Sequence, residues 1–92
     1  MDNTISQKSK ELKEKLRKLG SLIQYYNDKA QHNRYMCGLY MSKFQQSKSP
    51  NDRKLADEYY EVGRIAEAAS KMAQEEFRKL AAKYRKEVKP KL

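Results

Sequence analysis

From Leu12 to Phe44, apolar residues recur at alternating spacings of four and three. The run is Leu12, Leu16, Leu19, Ile23, Tyr26, Ala30, Asn33, Cys37, Tyr40 and Phe44, with Asn33 its one clearly polar member. Sustained this long, the pattern is a coiled-coil seam. A second stripe follows: Leu55, Tyr59, Val62, Ala66, Ala69, Ala73, Phe77, Leu80, Tyr84 and Val88. Within it Leu55, Ala66, Phe77 and Val88 lie eleven apart, which predicts a straighter second helix. Nothing alternates with period two for more than a few residues, so no strand is expected.

Few residues interrupt these stripes. Pro50 cannot continue a helix and pushes Ser49 toward an extended conformation. Ser49-Pro50-Asn51-Asp52 then reads as a helix start, with Ser49 at the N-cap, Pro50 at the first helical position and an acid two residues later. Thr4 with Gln7 resembles a capping box for the first helix, and Lys89-Pro90 closes the second. The expectation is one all-α domain over residues 1–92, with helix one at about 4–47, a turn at 48–50 and helix two at about 50–88. Helix one would be about 65 Å long.

Folding back at Ser49-Pro50 brings the stripes face to face. Partners have numbers summing to 99 or 100, as in Phe44 with Leu55, Tyr40 with Tyr59, Asn33 with Ala66 and Tyr26 with Ala73. The predicted fold class is a long antiparallel two-helix hairpin. Leu22, Tyr25, Tyr35, Met36, Leu39, Tyr60, Ile65 and Met72 fall off the seam. Two helices alone cannot cover them, and large apolar patches are uncommon on monomers. These eight are therefore the expected partner or oligomer interface. Self-association into a four-helix bundle or higher oligomer is favoured, with a C2 dimer as the simplest form.

Composition narrows the chemistry. Charged residues make up 36% of the 92, against 38% hydrophobic, so the core must be narrow. No apolar run approaches the ~20 residues that span a bilayer, and the polar opening of the chain is not a secretory signal. One cysteine forms no internal disulfide, which points to a reducing compartment, the cytoplasm. Neither a metal-site spacing nor a glycine-rich phosphate loop is present, so no cofactor is expected. His32 and Cys37 share no helix face, and no activated nucleophile or acid/base pair assembles, which argues against an enzyme.

The charge is sorted along the chain. Residues 1–20 carry +3, residues 76–92 carry +5 and the middle only +1, for a total of +9. In a hairpin both basic segments meet at the open end, which attracts phosphates or an acidic surface. Glu11–Lys15, Glu14–Lys18, Glu67–Lys71, Glu75–Lys79 and Glu87–Lys91 have the spacing of helix-supporting pairs. Setting the lysines of those pairs aside, the candidate anion or nucleic-acid site is Lys10, Lys13, Arg17, Arg78, Lys83, Arg85, Lys86 and Lys89.

Three functions compete. The first is a non-enzymatic basic hairpin that binds RNA or DNA backbone through its open end. The second is a protein-interaction adaptor or inhibitor, of the accessory kind mobile elements encode, docking on a larger complex that handles nucleic acid. The third is an oligomer that sequesters a small anionic nucleotide where Gly38 and Gly63 share a level, beside Arg34 and Arg64. Close helix approach is the plainer reading of the two glycines. Asn33 either sets register or marks a solvated break, and Tyr25, Tyr35 and Tyr60 either pack an interface or stack on bases.

Overall fold

The computed structural model describes residues 2–87, with side chains from Gln7 onward. Two helices, α1 (Asp2–Ser47) and α2 (Pro50–Glu87), pack antiparallel into a rod of 69 × 15 × 13 Å. The all-α hairpin expected from the stripes is the fold, and no strand occurs among the described residues. Val88, the Lys89-Pro90 stop and the Thr4 side chain lie outside the described residues.

The turn is Lys48 and Ser49 alone, because each helix end is capped at once. Lys48 adopts a left-handed φ of 58°, and its N–H donates to the Phe44 carbonyl at 2.7 Å. This is a cap more often built on glycine, and lysine costs about 1 kcal/mol more there. The Arg53 N–H donates to the Ser49 carbonyl at 3.3 Å, so Ser49 stands at the N-cap and Pro50 begins α2, as predicted. The side-chain bonds come from a neighbour. Ser47 Oγ accepts from the Ser49 N–H at 3.1 Å and donates to the Asp52 carboxylate at 2.8 Å. One hydroxyl at the end of α1 thus ties down the first turn of α2, where an acid also suits the helix dipole.

The α1 stripe is buried or half-buried throughout, and buried Ser9 extends it by one position. In α2 the seam differs from the one expected. Its fully buried members are Ala56, Gly63, Ala66, Ser70 and Ala73. Joined by Tyr59, Phe77, Leu80, Tyr84 and Glu87, they keep strict three-four spacing to the end of the described helix. Leu55 and Ala69 are displaced to the flank, and Val62 is 41% exposed. The eleven-residue drift came from taking these more apolar neighbours in place of Ala56, Gly63 and Ser70. With the small residues in the seam, both helices carry the same seven-residue period.

Small side chains win these positions because the helices approach closely. A Cβ added at Gly63 would lie 3.4 Å from Asn33 Cβ and 3.7 Å from the Ala30 carbonyl oxygen. Asn33 therefore packs on Gly63, a residue outside the expected stripe, while Tyr40 stacks on Tyr59 as predicted, with centroids 5.7 Å apart. Buried Asn33 donates to the Lys29 carbonyl of its own helix at 2.7 Å, so it is not a solvated break. Cross-helix polar register comes instead from Ser70, whose hydroxyl donates to Asn27 Oδ1 at 2.6 Å and accepts from Gln74 Nε2 at 3.0 Å. Gly38 does not share the Gly63 role, since it is exposed with open space around it.

Two consequences are measurable by chemical denaturation. Gly38→Ala should raise stability by about 0.5–1 kcal/mol through helix propensity alone, whereas Gly63→Leu should lower it by about 1–3 kcal/mol through overpacking. The opposite order would mean that the seam has been placed on the wrong side of α2. Lys48→Gly should stabilise the hairpin by about 1 kcal/mol by relieving the left-handed residue.

Candidate functional site

Once the seam is fixed, the remaining positions divide into two broad faces. On one, Arg34 of α1 forms an ion pair with Glu67 of α2, and the Asn27–Ser70–Gln74 bonds lie alongside. On the other, Leu19, Leu22 and Tyr26 meet Ala69, Met72 and Ala73 around a groove of about 430 Å³, which Glu75, Glu76 and Lys79 also line. Further toward the turn, Asn33, Leu55, Glu58, Tyr59 and Val62 line a second groove of about 230 Å³ on that same side. The rod therefore has a polar face and an apolar face.

The predicted basic residues divide between them. By helical position, Lys10, Lys13, Arg17, Arg78 and Arg85 belong to the polar face at the open end, drawn from both helices. Lys83 and Lys86 belong to the apolar face, and Lys89 lies outside the described residues. Lys13 sits with its ammonium 5.9 Å from the Tyr84 ring centroid. Arg17 and Arg78 are held by Glu14 and Glu75, at 2.6 and 3.2 Å.

Those two pairs overturn the expected i,i+4 lysine pairing. Glu14 and Glu75 each take the arginine three residues on, because a guanidinium fork can engage both oxygens of a carboxylate and an ammonium cannot. Glu67 pairs across the seam with Arg34, and Lys8 reaches Glu87 at 2.8 Å, while Lys91, the expected partner of Glu87, lies outside the described residues. Lys15, Lys18 and Lys79 make no salt-bridge contact among the described residues, although the Lys18 charge still acts on Glu14. All three take apolar-face positions beside Lys83 and Lys86. Sequence reasoning missed this lysine strip by assigning its members to glutamates. The competing arginine at i+3 was the available signal.

Of the eight expected interface residues, Leu22, Tyr25, Met36, Leu39, Ile65 and Met72 share the apolar face by helical position, joined by Val62 and Leu55. All are exposed except half-buried Met36 and Leu55, and Met72 reaches 73%. Tyr60 is on the polar face, lining a cavity of about 250 Å³ with Arg34, Cys37, Gly63, Arg64 and Glu67. Tyr35 points away from both helices' contact, 70% exposed. The cavity is the place proposed for a nucleotide, but Arg34 is engaged by Glu67, and Arg64 bonds both carboxylate oxygens of Glu61 at 2.6 and 3.3 Å.

Among the described residues, no group of three His, Cys, Asp or Glu side chains is placed to hold a metal, and Cys37 is a half-buried free thiol. No described helix is long and apolar enough to cross a membrane. The chain matches no protein-family model, no curated protein and no solved structure.

Hydrogen bonds from Arg17 and Arg64 hold the Glu14 and Glu61 carboxyls below their ordinary value. A lowered folded-state pKa adds stability above the ordinary carboxylate range, and that stability is lost as pH falls through the lowered value. Both pairs are exposed, so the contribution is small. Carboxyl titration by NMR should show Glu14 returning toward its ordinary pKa in Arg17→Gln, while Glu61 is unmoved.

Proposed function

We propose that this protein is a non-enzymatic binder of nucleic-acid backbone, acting through the polar face of its open end. The observation that supports this reading is the convergence of Lys10, Lys13, Arg17, Arg78 and Arg85 on one side from two separate helices. They span roughly 10 Å along the rod, enough to follow several phosphates. The pairs to Glu14 and Glu75 are solvent-exposed and cost little to exchange for phosphate. No recognition helix is set out for a groove and no sheet of aromatics is available for stacking, so contacts fall on phosphate and sequence preference is weak. RNA and DNA are both admissible partners, in a reducing, cytoplasmic setting.

The second reading is a protein-interaction adaptor or inhibitor, and the exposed apolar face favours it. Self-association and docking on a larger assembly are the two uses open to that face. The nucleotide-sequestering reading has less behind it, because its two glycines do not meet: Gly63 packs on Asn33, and Gly38 has open space around it.

Changing Lys10, Lys13, Arg17, Arg78 and Arg85 together to Gln should leave helicity unchanged, since none is in the seam and Gln is nearly as good a helix former. Measured on duplex DNA, the slope of log affinity against log salt should shrink by up to about four or five, and by less on single strands. Lys29, Lys43 and Lys54 to Gln serve as the control. Equal losses from both sets would mean that diffuse charge alone is at work, and no loss from the first set would reject the site.

A further inference from the structure

The polar face is grooved as well as basic. A cavity of about 280 Å³, lined by Asn27, Ala30, Gln31, Arg34 and Glu67, adjoins the one beside Tyr60 and Arg64, since Arg34 and Glu67 line both. Most of these walls are amides, guanidinium groups and a carboxylate, which exchange hydrogen bonds with a polar guest. The Tyr60 ring stands beside them 63% exposed. Arg34 and Arg64 are paired with Glu67 and Glu61, but their side chains are 70% and 64% exposed. Such pairs exchange for phosphate at little cost.

Bases continue from this groove to the open end. Arg64, Lys71, Arg78 and Arg85 recur every seven residues of α2, about 10 Å apart along the rod, and all are exposed. Lys71 makes no salt bridge among the described residues, because Glu67, four residues before it, is taken by Arg34. On α1, Gln24, Asn27 and Gln31 keep the face neutral between Arg17 and Arg34. The acids are Glu67 inside the groove and, by helical position, Glu14, Asp28, Glu61 and Glu75 along the outer edges. From Lys10 and Arg85 to Arg34 and Arg64 the track is about 35 Å long.

The groove's lining, more than the charge, selects the occupant. An acidic peptide carries its charge on the side chains that would enter the groove, against Glu67. In a nucleic-acid strand the charge lies on the backbone, and the group that enters is a flat, uncharged base able to stack on an aromatic ring. A duplex holds its bases in its own stack, out of reach of Tyr60, whereas an unpaired strand can splay one out.

We propose that the polar face takes a single nucleic-acid strand lengthwise, with phosphates on Arg85, Arg78, Lys71 and Arg64 and one base stacked on Tyr60 in the groove beside Arg34. This rests on the nucleic-acid reading and deepens it, naming unpaired strands as the substrate and carrying the site from the open end past the middle of the rod.

At the duplex spacing of ~3.4 Å per nucleotide the track takes about ten nucleotides, and fewer of a stretched strand. The probe is therefore a mixed-sequence DNA of about twelve nucleotides, alone or paired with its complement, followed by fluorescence anisotropy at ~0.1 M salt. The single strand should bind more tightly than the duplex. Tyr60→Leu should weaken the single strand at least about fivefold and leave the duplex unchanged, and Tyr60→Phe should restore the loss. Tyr35→Leu, at a more exposed tyrosine off the face, should do nothing. Arg64→Gln with Lys71→Gln should lower the single-strand salt slope by about one to one and a half. All these positions are exposed, so helicity and melting temperature should be kept. In NMR spectra the Tyr60 ring resonances should move on adding the strand while those of Tyr35 stay. If the five-fold open-end variant loses binding but Tyr60→Leu binds the strand like the parent, the nucleic-acid reading stands and this proposal is overturned. Equal losses of duplex and single strand in Tyr60→Leu, a duplex bound as tightly as the single strand, or an unmoved Tyr60 ring overturn it as well. So does poly-glutamate that shifts the Tyr60 resonances and displaces the strand at equal charge, which would give the track to an acidic protein. Binding unaffected by either set of variants would reject both.

Discussion

Close approach of the two helices through Ala56, Gly63, Ala66, Ser70 and Ala73 is the constraint from which the rest of the molecule follows. A seam of small side chains buries little apolar area per residue, so proximity takes the place of bulk, and dispersion contacts depend on the backbones lying near each other. The larger residues that a wider seam would have used, Leu55, Val62 and Met72, are thereby pushed to one flank. The apolar face is thus a by-product of a narrow seam. The polar face is its complement, where hydrogen bonds from Ser70 and the Arg34–Glu67 pair fix the register that small apolar residues specify poorly.

The hairpin, its turn and the α1 stripe were legible in the sequence because each rests on strong local signals: 3.5-residue periodicity over many turns, and a proline where only a helix start accommodates it. The α2 seam was not, because hydrophobic pattern reading favours the bulkiest apolar residue within a turn. Here Gly63 wins on size against Val62, and Ser70 takes the seam in place of Ala69 with its hydroxyl bonded to Asn27 and Gln74. An error of one position along a helix is a rotation of about 100°, enough to carry Val62 from core to surface. Gly38 misled for a related reason, since glycine in a helix suggests close contact only when a neighbour is there to make it.

The gathering of charge at the open end was equally legible, since it needs only the hairpin topology. Which bases are free was not. Pair spacing assigns lysines to glutamates by distance along the chain, but the arginine at i+3 and the cross-seam partner compete for the same carboxylates and engage three of them, Glu14, Glu75 and Glu67. The resulting separation of guanidinium-rich and ammonium-rich faces gives the rod two surfaces of different chemistry at a single end.

A rod whose every layer touches only the layers above and below behaves as a nearly one-dimensional system. The turn joins the helices through two residues, so layers beside it close the shortest loops and each further layer needs only one more increment of chain to order. Loop closure accordingly favours the contacts beside the turn first and those at the open end last, in the manner of a zipper. By the same loop-closure argument, the layers farthest from the turn, where the basic residues lie, gain least from it. The surface proposed to meet polyanions is the part of the fold that can part most cheaply, and binding there would draw the two strands of the zipper together.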